Sequence, residues 1–190
     1  MPRLPEANEA IKKQRRHSLV TASLSIFGTT PYEEVSVDTI AKKARLTRSL
    51  FYHYFKDKGE VFSALLNEVI LPSGLLPNYE EIDGKEGLLN LCEYYASAGK
   101  KNAKSLWIAR ICLQYPQEEG FARAFPKFSK AYDIDPLLTR LIKVGQKEGY
   151  LIAGPKEEIK EAAKVLFAHV LDEPESISAD MLFNLLTKKP

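Results

Sequence analysis

Apolar residues recur at three-to-four spacing along almost the whole chain, and this spacing constrains the fold more than any other feature. The segments LVTASLSIF (19–27) and KEEIKEAAKVLFAHVL (156–171) each place their apolar side chains on one face of a helix. Signals for β-strands are sparse, and no internal repeat is present. The periodicity therefore predicts an all-α protein of about nine helices.

Length and composition are those of a globular protein. The 190 residues are 45% hydrophobic and 27% charged, and no stretch approaches the roughly 18 apolar residues of a membrane span. The opening segment, MPRLPEANEAIKKQRRHS, lacks the apolar core of a secretory signal. Cys92 and Cys112 have neither metal-like nor CxxC spacing. We therefore expect a cytoplasmic protein with reduced core thiols, no cofactor and no metal site.

Positive charge is concentrated in the first third of the chain. Residues 1–60 contain eleven Lys and Arg against seven Asp and Glu, a balance of +4. The remaining residues contain sixteen against eighteen, a balance of −2, so the net charge of the whole chain is only +2. This asymmetry indicates a polyanionic partner for the N-terminal segment. Residues 72–84, which contain two prolines and two glycines, are a candidate boundary after it.

Two short helices are predicted close together between residues 36 and 55. Ser36 is expected to cap the helix VDTIAKKA, and Thr47 is expected to cap the helix RSLFYHYF. Only Arg45 and Leu46 lie between them, which predicts a tight turn. Two short helices joined in this way form a helix-turn-helix, whose second helix fits the major groove of DNA.

The second helix of this pair has one apolar and one polar face. At about 100° per residue, Phe51 and Phe55 point inward, where they are expected to pack with Ile40, Ala41 and Leu46. The opposite face carries side chains that reach phosphate oxygens and base edges. These outward residues are Thr47, Arg48, Ser49, Tyr52 and His53.

The segment YEEVSVDTIAKKARLTRSLFYHYFKDKGEVF resembles the DNA-binding domain of the TetR family of transcriptional regulators. The resemblance implies an N-terminal three-helix helix-turn-helix domain, residues 1–56. It implies a C-terminal helical bundle for ligand binding and dimerisation, residues 57–190. It further implies a sequence-specific regulator of transcription, a repressor that a small molecule releases from a palindromic operator in double-stranded DNA.

Carried over by position, the resemblance assigns DNA contacts to individual residues. Arg48 and Ser49 match base-contacting positions, whereas Tyr52 and Lys58 match phosphate clamps. Ser36 matches a capping residue that touches phosphate, and His53 matches a position that reaches either bases or backbone. For Lys58, at the start of a helix, the ammonium group and the unpaired backbone N–H groups of that helix are expected to hold the phosphate together.

The chain departs from the family pattern at four positions. Pro31 and Arg45 stand where the family usually has glycine. Either Arg45 accepts a strained turn that costs about 1 kcal/mol, or the turn differs locally from the family pattern. Asp38 stands where the family often has a basic residue, and its carboxylate is expected to repel phosphate. Leu50 replaces a small or hydroxyl residue and is placed to press on a thymine methyl group.

The resemblance also implies a ligand site and a homodimer in the C-terminal two thirds of the chain. Candidate ligand residues are Tyr94, Trp107, Cys112, Phe125 and Phe128, although simple core packing also explains each of them. The 156–171 helix carries an apolar stripe, and the last helix adds a second one. Either the stripes belong to the subunit core, or part of them forms a four-helix bundle between two subunits. We favour the second interpretation.

Two other functional classes remain open from the sequence. A helical enzyme needs a catalytic cluster, and none is visible, so we expect no enzymatic activity. A helical protein-interaction module without DNA readout is the main alternative. It predicts binding that is insensitive to salt, whereas contacts to phosphate predict a steep loss of affinity as salt is added.

Overall fold

The computed structural model describes residues 5–187, which form two compact units divided between Gly74 and Leu75. The helices of the first unit are α1 (Pro5–Phe27), α2 (Val37–Lys43), α3 (Arg48–Tyr52) and α4 (Lys58–Leu65). Those of the second are α5 (Gly84–Lys101), α6 (Ala103–Gln114), α7 (Glu119–Ala124), α8 (Pro126–Tyr132), α9 (Ile134–Glu148), α10 (Lys156–Asp172) and α11 (Ala179–Leu186).

The all-α fold expected from the periodicity is confirmed. Within residues 5–187 the only β pairing is a single antiparallel bridge between Leu151 and Thr187. None of the helices in this range combines the length and the apolar character that a membrane crossing requires.

The structure has eleven α-helices in the described range, more than the nine expected, in part because a proline divides one predicted helix. Residues 119–132 form α7 and α8 instead of one continuous helix. Phe125 between them has φ −129° and ψ 58°, since a residue that precedes proline is displaced from the helical region. The aromatic helix α3 is also shorter than expected and ends at Tyr52 instead of Phe55.

The cap of α9 also differs from the sequence expectation. The pattern Asp135-Pro136 predicts Asp135 as the N-cap, but the cap is Asp133, whose carboxylate accepts a hydrogen bond from the backbone N–H of Asp135 at 3.0 Å. Asp135 lies in the first turn of the helix, where its carboxylate binds the ammonium groups of Lys160 and Lys164. A carboxylate two residues earlier satisfies the cap, so Asp135 is available for this ion-pair network.

The core of the first unit is built on α1. Leu19, Val20, Ser23, Leu24 and Phe27 are buried along one face of α1, as its periodicity predicts. This face packs against α2 and α4. The apolar face of α1 therefore supports α2 of the helix-turn-helix and the following helix α4.

The first unit extends beyond residue 56, the domain boundary expected from the sequence. The ring of Phe62 in α4 meets that of Phe27 in α1 edge-to-face, with 4.6 Å between the ring centroids. The chain continues from α4 through a π-helical turn and a 3₁₀ turn to Gly74, which has φ 64°. Because α4 packs on α1, the division between the units falls after Gly74, inside the predicted boundary segment 72–84.

The second unit is organised around α5, which contacts α6, α9, α10 and α11. In its centre the ring of Tyr95 stacks on Phe167 of α10, with 4.6 Å between centroids. The hydroxyl of Tyr95 shares a buried 2.9 Å hydrogen bond with the hydroxyl of Tyr79. The two hydroxyls of this pair thus satisfy each other inside the core.

Arg45 makes the turn between α2 and α3. Its φ is 57°, and within residues 5–187 no other non-glycine residue has a positive φ. The backbone N–H of Leu46 donates to Ala41 O at 2.9 Å, and that of Arg45 donates to Lys42 O at 3.0 Å. These two bonds form a Schellman motif, which ends α2 and turns the chain into α3. The expected strain at Arg45 is therefore present.

Replacing Arg45 with glycine removes the side-chain clash of the left-handed conformation. We expect the free energy of unfolding to rise by about 0.5–1 kcal/mol in urea denaturation. The control Lys42→Gly lies inside α2, where glycine is unfavourable, and is expected to lower it by about 1 kcal/mol. If both variants lose the same free energy of unfolding, the contacts of the Arg45 side chain stabilise the protein by more than its left-handed conformation costs.

Candidate nucleic-acid interface

The two short helices of the first unit begin with side-chain caps. The hydroxyl of Ser36 accepts a hydrogen bond from the backbone N–H of Thr39 at 3.1 Å, and that of Thr47 accepts one from Leu50 N–H at 3.2 Å. These contacts are the ones predicted from the sequence. Both hydroxyl residues remain exposed, so each also faces solvent beside the helix it starts.

The inward face of α3 is apolar and fully packed. Phe51 and Phe55 are buried, and so are Ile40 and Ala41 of α2, whereas Leu46 is half-buried. The outward row of α3 is exposed, as predicted: Thr47, Arg48, Ser49, Tyr52 and His53. The structure therefore brings five of the seven candidate DNA-binding residues onto one short surface, and Ser36 lies exposed at the start of α2.

Arg48 is already engaged by two neighbours. Its Nη1 donates to Oδ2 of Asp38 at 2.7 Å, and its Cζ lies 5.8 Å from the centroid of the Tyr52 ring. Tyr52 and then the Asp38 carboxylate raise the pKa of the Arg48 guanidinium above its usual value. Asp38 was expected to repel phosphate, and the structure also places its carboxylate against Arg48, the predicted base-reading side chain.

Lys58 has a different environment from the other candidates. It is half-buried, and its Nζ donates to the carbonyl oxygens of Tyr32 at 2.8 Å and Glu33 at 3.1 Å. The same ammonium group lies 4.6 Å from the centroid of the Tyr32 ring. Lys58 therefore anchors the loop after α1, a structural role that the sequence did not indicate.

The N-terminus of α4 is also occupied. The carboxylate of Asp57 accepts a hydrogen bond from Glu60 N–H at 2.9 Å, and the carboxylate of Glu60 accepts one from Lys56 N–H at 2.5 Å. The expectation of unpaired backbone N–H groups beside Lys58 does not hold for these two donors, because acidic side chains already cap them. A phosphate contact by Lys58 remains a prediction.

An open groove with a volume of about 910 Å³ separates the first half of α1 from α3. The α3 side includes Thr47, Ser49, Tyr52 and His53, and the α1 side is lined by Asn8, Glu9, Ile11, Lys12 and Arg15. Sequence reasoning did not place Asn8 or Ile11 in the site. Their i, i+3, i+4, i+7 spacing with Lys12 and Arg15 was the available signal, since it puts all four on one face of α1.

Arg16 belongs to the structure of the unit and not to this groove. Its guanidinium makes two hydrogen bonds to the carboxylate of Glu68, at 2.8 and 2.6 Å, and lies 5.1 Å from the centroid of the Phe55 ring. The basic residues between 12 and 16 therefore have two different positions. Lys12 and Arg15 line the groove, whereas Arg16 supports the core of the unit.

The segment that forms this surface matches a known protein family. Residues 19–65 match the family of bacterial regulatory proteins called the tetR family. The first unit is therefore similar to the DNA-binding domain of the TetR family. The resemblance drawn from the sequence motifs is confirmed, and the chain is a DNA-binding transcriptional regulator.

Two kinds of similar protein, one known by sequence and others by solved structure, match this chain over nearly its whole length. It is 29% identical over 182 residues to the Transposon Tn10 TetC protein of Escherichia coli, covering 93% of this chain and 86% of TetC. A solved structure of a mutant of the regulator HlyIIR has a TM-score of 0.69 at 19% identity, covering 93% of this chain and 97% of that one. NalD, the secondary repressor of the MexAB-OprM efflux pump in Pseudomonas aeruginosa, has a TM-score of 0.51 at 21% identity, covering 94% and 100%. These structural likenesses establish the shared fold.

The candidate ligand residues of this regulator lie in the second unit. Cys112 is fully buried, and burial raises the pKa of its thiol. Phe128 is buried against Tyr132, with 4.8 Å between ring centroids, whereas Phe125 and Trp107 are half-buried. Most of this set is therefore integrated into the aromatic core, as the core-packing interpretation expects, and its role in ligand binding remains a prediction.

Tyr94 differs from the rest of the set because its hydroxyl is unsatisfied. The Oη atom is buried and has no hydrogen-bond partner among the described residues. Burial, and next the nearby Cys112, raise the pKa of this hydroxyl, so it stays protonated as a donor. The residue also lines a surface groove of about 550 Å³ between α5 and the start of α11, together with Asn90, Glu93 and Lys101.

The Lys58 contacts predict a stability effect that a pure phosphate contact does not. Lys58→Met removes two hydrogen bonds to carbonyl oxygens and keeps an apolar stem, so we expect the free energy of unfolding to fall by about 1–2 kcal/mol in urea denaturation. The control Lys56→Met removes the same charge from an exposed side chain and should change stability by less than about 0.5 kcal/mol. Equal stability of the two variants would rule out the anchoring role.

Proposed function

We propose that this regulator is a repressor that inserts α3 into the major groove of a palindromic operator. The observation that carries the proposal is the exposed polar row of α3, held outward by two buried phenylalanines. Helices of a helix-turn-helix read bases with such a row while neighbouring groups fix the phosphate backbone. The residues proposed to contact DNA are Ser36, Thr47, Arg48, Ser49, Tyr52, His53 and, through its remaining N–H, Lys58.

The groove between α1 and α3 supports a role for α1 in the same interface. Lys12 and Arg15 are exposed on the α1 side, and Tyr52 and His53 stand opposite on α3. A phosphodiester backbone that borders the major groove is a chemically matched occupant, because cations line the α1 side and hydroxyl donors line the α3 side. Glu9 neutralises part of this charge, since it pairs with Lys12 at 2.8 Å.

Selection of bound fragments from random duplex DNA tests this function. We expect a palindromic consensus, with half-sites about one helical turn apart if two subunits bind together. Affinity for the consensus, measured by fluorescence anisotropy, should fall steeply between 50 and 200 mM salt, by roughly tenfold or more. Binding without a consensus and without a salt slope would instead favour the protein-interaction alternative.

The substitution Tyr52→Phe tests the proposed phosphate contact of Tyr52. Loss of one hydroxyl bond to a charged phosphate should weaken binding about tenfold for the consensus and for other sequences alike. Tyr150→Phe removes a hydroxyl from the second unit and serves as the matched control, with wild-type affinity expected. If Tyr52→Phe also binds like wild type, Tyr52 is not a phosphate clamp.

We further propose that the regulator is a homodimer, formed through α10 and α11. Ile159, Ala163, Phe167 and Val170 are buried in the subunit core, but Val165 on the opposite face of α10 is 67% exposed. On α11, Leu182 and Leu186 are buried, and large apolar side chains are exposed on the other face: Met181 and Leu185. Apolar side chains of this size on two neighbouring helices support an intersubunit helix bundle.

Val165→Glu places a charge in the centre of this proposed interface. Because the side chain is exposed within one subunit, the variant should fold normally but sediment as a monomer at micromolar concentration. The control Leu71→Glu introduces the same charge at an exposed leucine of the first unit and should sediment as a dimer. If the Val165→Glu protein is still a dimer, the interface does not include this face of α10.

The repressor is proposed to act in the cytoplasm and to release DNA when a small molecule binds the second unit. The unsatisfied Tyr94 hydroxyl supports this location, since a ligand acceptor would complete its hydrogen bonding. The ligand must bind the DNA-free form more tightly than the DNA-bound form, because equal affinity shifts nothing. A compound that raises the melting temperature but leaves operator affinity unchanged would contradict release by that compound.

A further inference from the structure

Asp38 and Arg48 meet across the turn of the helix-turn-helix, on the surface proposed to face DNA. Asp38 lies in the first turn of α2, and Arg48 is the first residue of α3. Their ion pair is 2.7 Å long, and both side chains remain well exposed, at 61% for Arg48 and 58% for Asp38. Neither side chain is part of the buried core.

An ion pair this exposed contributes little to stability, because water solvates both groups nearly as well when they are apart. Its main physical effect is to restrict the arginine side chain. The carboxylate fixes one end of the guanidinium through Nη1, and the ring of Tyr52 lies 5.8 Å from its Cζ. A long side chain with many rotamers is therefore held near one orientation before DNA arrives.

The orientation leaves the arginine chemically competent to read a base. A guanidinium has five N–H donors, and the contact with Asp38 involves Nη1. The ion pair with Asp38 does not use the edge formed by Nε and Nη2. Two parallel donors on such an edge match O6 and N7 of guanine in the major groove.

We propose that Asp38 is a specificity-determining residue, which positions Arg48 to read a guanine and lowers the affinity for DNA of every sequence. The inference rests on the proposed function, since it requires α3 to enter the major groove. The positioning raises preference for guanine at one base position. The negative charge of Asp38, close to the phosphates, weakens binding in general, and more so where no guanine is available to Arg48.

The base position read by Arg48 is first located with Arg48→Ala, as the position of the selected consensus whose preference is lost. At that position, Asp38→Ala should reduce the preference for guanine about fivefold. Its affinity for unrelated duplex DNA should rise severalfold, because one repelling charge is removed. Asp38→Asn keeps an acceptor oxygen for Nη1 without the charge, so its guanine preference should lie between those of Asp38→Ala and wild type.

Two matched controls separate positioning from simple loss of charge. Glu34→Ala removes another exposed carboxylate of the same unit and should leave the base preference unchanged. In an Arg48→Ala background, Asp38→Ala should alter general affinity but produce no further change in base preference. Circular dichroism establishes whether each variant is folded. If Asp38→Ala does not fold, Asp38→Asn is measured in its place.

The outcomes also distinguish this inference from the proposed function. If wild-type protein selects a consensus and Asp38→Ala retains the full guanine preference, Asp38 is only a repelling charge and the inference is wrong. If the double variant loses more preference than Arg48→Ala alone, Asp38 acts on specificity through some other group. If wild-type protein selects no consensus, the DNA-reading function itself fails.

Discussion

The packing of Phe51 and Phe55 beneath α3 holds the whole surface that we propose binds DNA. A helix of five residues does not persist alone in water, where about 12–15 residues are needed even for good helix formers. Here the two buried rings, the Thr47 cap and the turn at Arg45 together hold it. Because the inward face is fixed by packing, the outward direction of Arg48, Ser49 and Tyr52 is fixed as well.

Many of the charges around this surface are satisfied inside the protein before any partner binds. Arg48 is paired with Asp38, Arg16 with Glu68, and Lys58 with two carbonyl oxygens. A count of Lys and Arg therefore overstates the positive charge available to DNA. Pairing of this kind lowers general attraction to polyanions but fixes the direction of the remaining N–H donors, which favours selectivity over affinity.

In the second unit, different apolar residues pack the subunit core and remain exposed for the proposed dimer, although the sequence did not distinguish the two groups. One face of α10 packs on α5 through the stacked rings of Phe167 and Tyr95, whereas Val165 faces away. The buried face accounts for the stability of the subunit. The exposed Val165 does not contribute to the subunit core, which is why its face of α10 is the basis for the proposed dimer.

The amino-acid sequence alone was enough to predict the helical class, the places where helices begin beside a capping hydroxyl, and the inward face of α3. These features are local, because spacing and capping act within a few residues of the chain. The family resemblance, also readable from the sequence, gave the class of function. Local rules were wrong where a competitor lay close by, as with Asp133 in place of Asp135, or where a proline divided a helix at Phe125. The contacts between distant parts of the chain became visible only in the folded protein: Lys58 with the loop after α1, Asp38 with Arg48, and α1 with the groove beside α3. These contacts depend on how helices pack against one another, and no periodicity within a single helix specifies that packing.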